Sequence, residues 1–138
     1  MRIAAAAALL ACTSAHACPG LVVEEAWIRA LPPGGTMTAG YAKLRNTGPR
    51  PLSVYGAVTP GFAAAELHHT VVEDGVSRMR HGEPLRVAPG AGAALEPGGW
   101  HLMLMGPTRP LPAGSRVPVT LQCGAESTEF TFTVRAPE

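Results

Sequence analysis

Gly98-Gly99-Trp100-His101-Leu102-Met103-Leu104-Met105-Gly106 reads as a β-strand, bounded by glycines and alternating between two faces. Trp100, Leu102 and Leu104 make one face, an ordinary apolar core face. His101, Met103 and Met105 make the other, with successive side chains about 7 Å apart along the strand. One imidazole and two thioethers on a single side are a soft donor set, suited to copper and above all to Cu(I). Taken alone, the strand is better explained by methionines that fill gaps in a core and a histidine that is incidental. The rest of the chain has to decide between the two.

On either side of this strand, short apolar-bearing runs alternate with Gly/Pro punctuation. Strands are expected over residues 21–30, 38–46, 52–58, 63–72, 76–81, 85–88, 93–96, 117–123 and 128–135. Pro32-Pro33-Gly34-Gly35, Asn46-Thr47-Gly48-Pro49, Thr59-Pro60-Gly61 and the Pro-rich stretch 106–114 separate them. In the last run Phe130, Phe132 and Val134 share a face. Turn signals about every 8–12 residues, with no sustained helical period outside the N-terminal leader, predict an all-β Greek-key sandwich or barrel. No repeat, low-complexity tract or linker interrupts it, so a single domain over residues 18–138 is expected.

The first 17 residues read as a secretory signal peptide. Arg2 is the charged region, residues 3–11 the apolar stretch, and Ala15-His16-Ala17 an A-x-A cleavage site. The apolar stretch is too short to span a bilayer, and no later segment approaches that length. Acylation of Cys18 or Cys12 is the weaker reading, because Ala15-His16-Ala17 matches a lipobox poorly. Without Arg2, ten basic side chains balance ten acidic ones, which argues against nucleic acid or an anionic membrane as partner. Cleavage leaves two cysteines, Cys18 and Cys123, which are expected to pair in an oxidising compartment. Thiolates are then unavailable as metal ligands, and methionine becomes the sulfur donor to consider.

The soft donors are clustered. His68, His69, His81 and His101, all the histidines outside the leader, fall within residues 68–101, with Met79 inside that stretch and Met103 and Met105 just after it. Asp74-Gly75 between two apolar-bearing runs is a strong hairpin signal. With those two residues at the turn, Val72 faces Ser77, Thr70 faces Met79 and His68 faces His81. His68, Thr70, Met79 and His81 then share one face, with His68 and Met79 as diagonal neighbours. His69 points to the opposite face and is read as an ordinary histidine.

His68, ten residues, Met79, twenty-one residues, His101, one residue, Met103: these intervals resemble the H(M)x10Mx21HxM signature of PCu(A)C-type periplasmic copper chaperones. The surroundings are similar too, in Ala26-Trp27-Ile28-Arg29-Ala30 with Pro32-Pro33, Ala39-Gly40-Tyr41, Glu66-Leu67-His68 and 97–106. The resemblance covers the whole chain after the leader. It implies a cupredoxin-like β-sandwich that binds one Cu(I) through His68, Met79, His101 and Met103. It further implies carriage of copper in the periplasm to an acceptor protein such as the Cu(A) site of cytochrome oxidase. A monomer is expected. Met105 lies outside the signature and is assigned to the core or to a supporting role. His69 stands where the signature optionally has methionine, and His81 where proline is expected; either could add a nitrogen for Cu(II). No Met/His-rich C-terminal extension is present, so no separate Cu(II) site is expected there.

Three other readings compete. A blue-copper carrier needs a thiolate and a nearby histidine, and Cys123 is followed by Gly124-Ala125-Glu126. An enzyme would show a His-Glu zincin pattern, a Ser-His-Asp pattern or paired carboxylates, and none stands out. The remaining alternative is an exported β-sandwich adhesion or assembly module whose His/Met cluster is incidental.

Overall fold

The computed structural model describes residues 18–136, so the leader and its cleavage site lie outside the described residues. Eleven strands make up the chain: β1 (Leu21–Arg29), β2 (Met37–Asn46), β3 (Leu52–Val54), β4 (Gly56–Val58), β5 (Phe62–Glu73) and β6 (Val76–His81), followed by β7 (Leu85–Val87), β8 (Gly92–Leu95), β9 (Trp100–Pro107), β10 (Arg116–Cys123) and β11 (Glu126–Arg135). Nine of them hydrogen-bond in the order β4-β10-β11-β1-β2-β8-β9-β5-β6, and β3 pairs with β7 alone.

β2 is the hinge of this arrangement. One edge pairs with β1. On the other edge its first part, Met37 to Gly40, pairs with β9, and its second part, Ala42 to Arg45, pairs with β8. The sheet thereby folds over on itself around one core that contains Ile28, Leu44, Leu67, Leu102, Leu104, Val117 and Phe132. The two layers meet closely at Gly40. A Cβ there would lie 3.5 Å from Leu102 and Leu104 on β9 and 3.7 Å from the Phe132 ring on β11. Leu102 and Leu104 are fully buried, as the alternation along β9 requires.

Two local features depart from the sequence reading. Residues 52–58 do not form one strand. Tyr55 is exposed and breaks the alternation, β3 goes to β7, and β4 goes to β10. The chain changes sheet at a corner, with Tyr55 N donating to the Gln122 carbonyl. β1 alternates only loosely because its register with β2 shifts between Glu24 and Trp27, a bulge at which Glu25 takes φ 51°.

Cys18 and Cys123 are disulfide-bonded, with Cα atoms 5.9 Å apart across a sequence separation of 105. The bridge ties the start of the described chain to the end of β10. The β5–β6 hairpin closes one edge of the nine-stranded sheet. Its turn has Asp74 at φ 50° and Gly75 at φ 75°, two left-handed residues in succession, as a two-residue type I′ turn demands. The register is the expected one: His68 opposite His81, Thr70 opposite Met79 and Val72 opposite Ser77.

Candidate metal centre

Three neighbouring strands, β9, β5 and β6, supply the candidate donors from one face. β5 pairs His68 with His101 and Glu66 with Met103, while β6 pairs its His81 with His68. Because directly paired residues point the same way, His101, His68 and His81 form one row across the sheet. Met103 lies one step along β9, and Met79 one step along β6 in the other direction.

The side chains follow this register. His68 Nδ1 is 3.0 Å from Met79 Sδ. The rings of His68 and His101 stand edge to face, 5.9 Å apart, and those of His68 and His81 are 5.8 Å apart. His101 is 6% exposed, the His68 side chain 12% and Met79 51%, while Met103 is half-buried. The cluster is therefore walled by β9 on the inside and open to solvent on the side of the edge strand β6.

Hydrogen bonding assigns the ring nitrogens. His101 Nδ1 lies 3.0 Å from the Gly99 carbonyl, which can only accept, so Nδ1 carries the proton and Nε2 keeps its lone pair. His68 Nε2 lies 2.7 Å from a Glu66 carboxylate oxygen, so that nitrogen is the donor and Nδ1, beside the Met79 sulfur, is the one available to a metal. A carboxylate or carbonyl behind a ligating imidazole sets its tautomer and raises its basicity. Glu66 is the site residue that sequence reasoning passed over. Its signal was present, since a residue two before His68 on a strand shares its face.

Among the described residues no three His, Cys, Asp or Glu side chains converge as a metal-binding group. Nitrogen and oxygen donors alone therefore do not make up a preformed site there, and the two thioethers are the further donors on this face. Two neutral imidazoles and two thioethers fit a soft monovalent ion better than zinc or calcium. His69, as expected, faces the other way. It stacks on Trp100, with centroids 4.2 Å apart and planes 7° from parallel. Met105, assigned by sequence to the core or to a supporting role, is half-buried on the same outer face as Met103.

The family model described as "Putative lipoprotein LpqE-like" matches residues 21–135. The chain belongs to the LpqE-like family. A relative from Leifsonia xyli subsp. xyli (strain CTCB07), "Putative lipoprotein Lxx21020", is 37% identical over 110 residues. That match takes in 79% of this chain and 65% of the relative, so the chain spans just under two thirds of its length. Among solved structures, the LpqE-like chain is similar to the copper-bound PCuAC domain from PmoF2. The TM-score is 0.71 at 23% identity, over 88% of this chain and 97% of that one. It is also similar to apo-DR1885 from Deinococcus radiodurans, with a TM-score of 0.68 at 29% identity over 99% and 93% of the two chains. For the Cu(I) form of DR1885 the TM-score is 0.64 at 29% identity, over 91% and 83%. The all-β, cupredoxin-like fold and the kinship with PCu(A)C-type domains are thereby borne out.

Proposed function

We propose that this LpqE-like protein is a copper chaperone, not an enzyme, that carries Cu(I) in an exported compartment on His68, Met79, His101 and Met103. The observation that carries the reading is the convergence of His68 Nδ1 on the Met79 sulfur beside the His101 ring, on an open face. Among the similar solved structures are a copper-bound PCuAC domain and the Cu(I) form of DR1885, which supports the same cargo. The family description and the disulfide both support export, since such bridges persist in oxidising compartments.

The ligand chemistry suits carriage. Thioethers do not pair as thiols do, so they remain available for Cu(I) where cysteine would be oxidised. With no charged first ligand the site holds the ion firmly but yields it by ligand exchange to an acceptor richer in thiolate, such as the Cu(A) site of cytochrome oxidase. Copper remains Cu(I) throughout, and only bonds to the metal change hands. His81, beside His68, adds a nitrogen that would favour Cu(II) if the ion is oxidised in place.

The test is competition for Cu(I) against a chromophoric chelator. One equivalent should be withdrawn from the chelator, and His101→Ala or Met79→Ala should abolish or sharply weaken that withdrawal. No stoichiometric binding, or binding indifferent to both substitutions, returns the protein to the class of adhesion or assembly modules.

A further inference from the structure

All four methionines of the described residues lie on the face just described, yet the proposed site uses two. The other two meet across a strand pair, because β2 places Met37 opposite Met105 and Ala39 opposite Met103. Met37 is 57% exposed, so it does not pack a core. Met37 and Met103 line one surface depression, together with Arg29, Pro32, Thr38 and Ala39. Directly paired residues have Cβ atoms about 5 Å apart. Met103 and Met105 are separated by about 7 Å along β9. Three rotatable bonds in each methionine let the three sulfurs reach a common point.

We propose that Met37, Met103 and Met105 form a second, weaker station for Cu(I) that shares Met103 with the His68–Met79–His101 set. The inference rests on the copper reading above. A donor set made only of thioethers accepts Cu(I) or Ag(I) and discriminates against zinc, which takes thiolate, imidazole or carboxylate, and against Cu(II), which prefers nitrogen and oxygen. No carboxylate lines the depression, and the Arg29 guanidinium sits at its edge over the Tyr41 ring, so a cation there gains no charge compensation. That makes the station weaker than the imidazole-containing site. The shared Met103 lets the ion move between the two by exchanging Met37 and Met105 for His101, His68 and Met79 while one bond persists. No electron moves and no proton is required, because the receiving nitrogens already hold lone pairs.

The experiment follows the methionine methyl resonances of the full chain during titration with Ag(I), alongside Cu(I) transfer to excess chelator. The first equivalent should shift the Met79 and Met103 methyls. A second, at least about tenfold weaker for want of imidazole, should shift Met37 and Met105. The Met37→Leu/Met105→Leu variant keeps the residue volumes. It should retain the first equivalent, lose the second, and release Cu(I) to the chelator several-fold more slowly. Met37 and Met105 methyls unmoved at two equivalents, or a variant matching the parent in both stoichiometry and release rate, overturns the second station alone. If the first equivalent moves no methyl and the chelator keeps all its copper, the copper reading itself falls.

Discussion

Asn46 and His101 are two buried polar side chains that differ in what is left over. Asn46 has no exposed surface. Its Nδ2 donates to the Arg50 and Val87 carbonyls at 2.7 and 3.0 Å, and its Oδ1 accepts from Gly48 N at 3.0 Å. Its backbone adds bonds with Gly90 and Ala91. Both amide hydrogens and the amide oxygen are engaged, and the side chain ties residues 46–50 to the end of β7. His101 is nearly as buried, but its side chain uses one nitrogen on Gly99 and makes no other hydrogen bond among the described residues. A buried polar group that is fully satisfied is structural. One that leaves a ring nitrogen uncommitted beside a second imidazole is what the proposed site requires.

The two side chains should therefore fail in opposite ways. The largest effect on stability is expected from reducing the Cys18–Cys123 bridge, two residues from the Gly20 that the Asn46 loop packs against, which in loop-entropy terms removes roughly 4–5 kcal/mol. Thermal unfolding with and without reductant reads it, and in a Cys18→Ser/Cys123→Ser variant, which adds no thiol donors, Cu(I) affinity measured below the melt should hardly move. Asn46→Ala strands buried carbonyls and should lower stability by about 2–4 kcal/mol, again leaving metal affinity intact. His101→Ala reverses the pattern, with affinity for Cu(I) falling by more than about 100-fold while stability changes far less than in Asn46→Ala, since a ligand outweighs the outer partners that set it. An Asn46→Ala protein that loses copper as badly as His101→Ala does would erase the distinction. The smallest effect is expected from Glu66→Gln. The amide oxygen still accepts from His68 Nε2 but the charge is gone, so affinity should drop by about tenfold or less, measured against the same chelator.

What could be read from the sequence follows how local the determining contacts are. The β5–β6 hairpin was legible because Asp74-Gly75 satisfies a turn with two left-handed residues, and that turn dictates which residues face each other. The donor face of β9 was legible from simple alternation. The corner at Tyr55 was not. An apolar run of seven residues looks the same whether one neighbour or two successive neighbours pair with it, and β7 and β10 are far away in sequence. Glu66 was missed because a carboxylate two residues from a histidine is commonplace until the ring is seen to turn toward it. Met37 was missed because only the long-range β2–β9 register brings it to Met105.

The Cys18 sulfur has one remaining bond to give, and in this fold it gives it to Cys123. Lipid attachment would need the same atom as a nucleophile. Pairing and anchoring are thus exclusive fates of residue 18. A chain tethered through that sulfur would present Cys123 as a free thiol at the end of β10, and a bridged chain that is tethered must be held through another residue. For a family described as lipoproteins, the oxidation state of one half-cystine would then separate a membrane-bound carrier from a diffusing one.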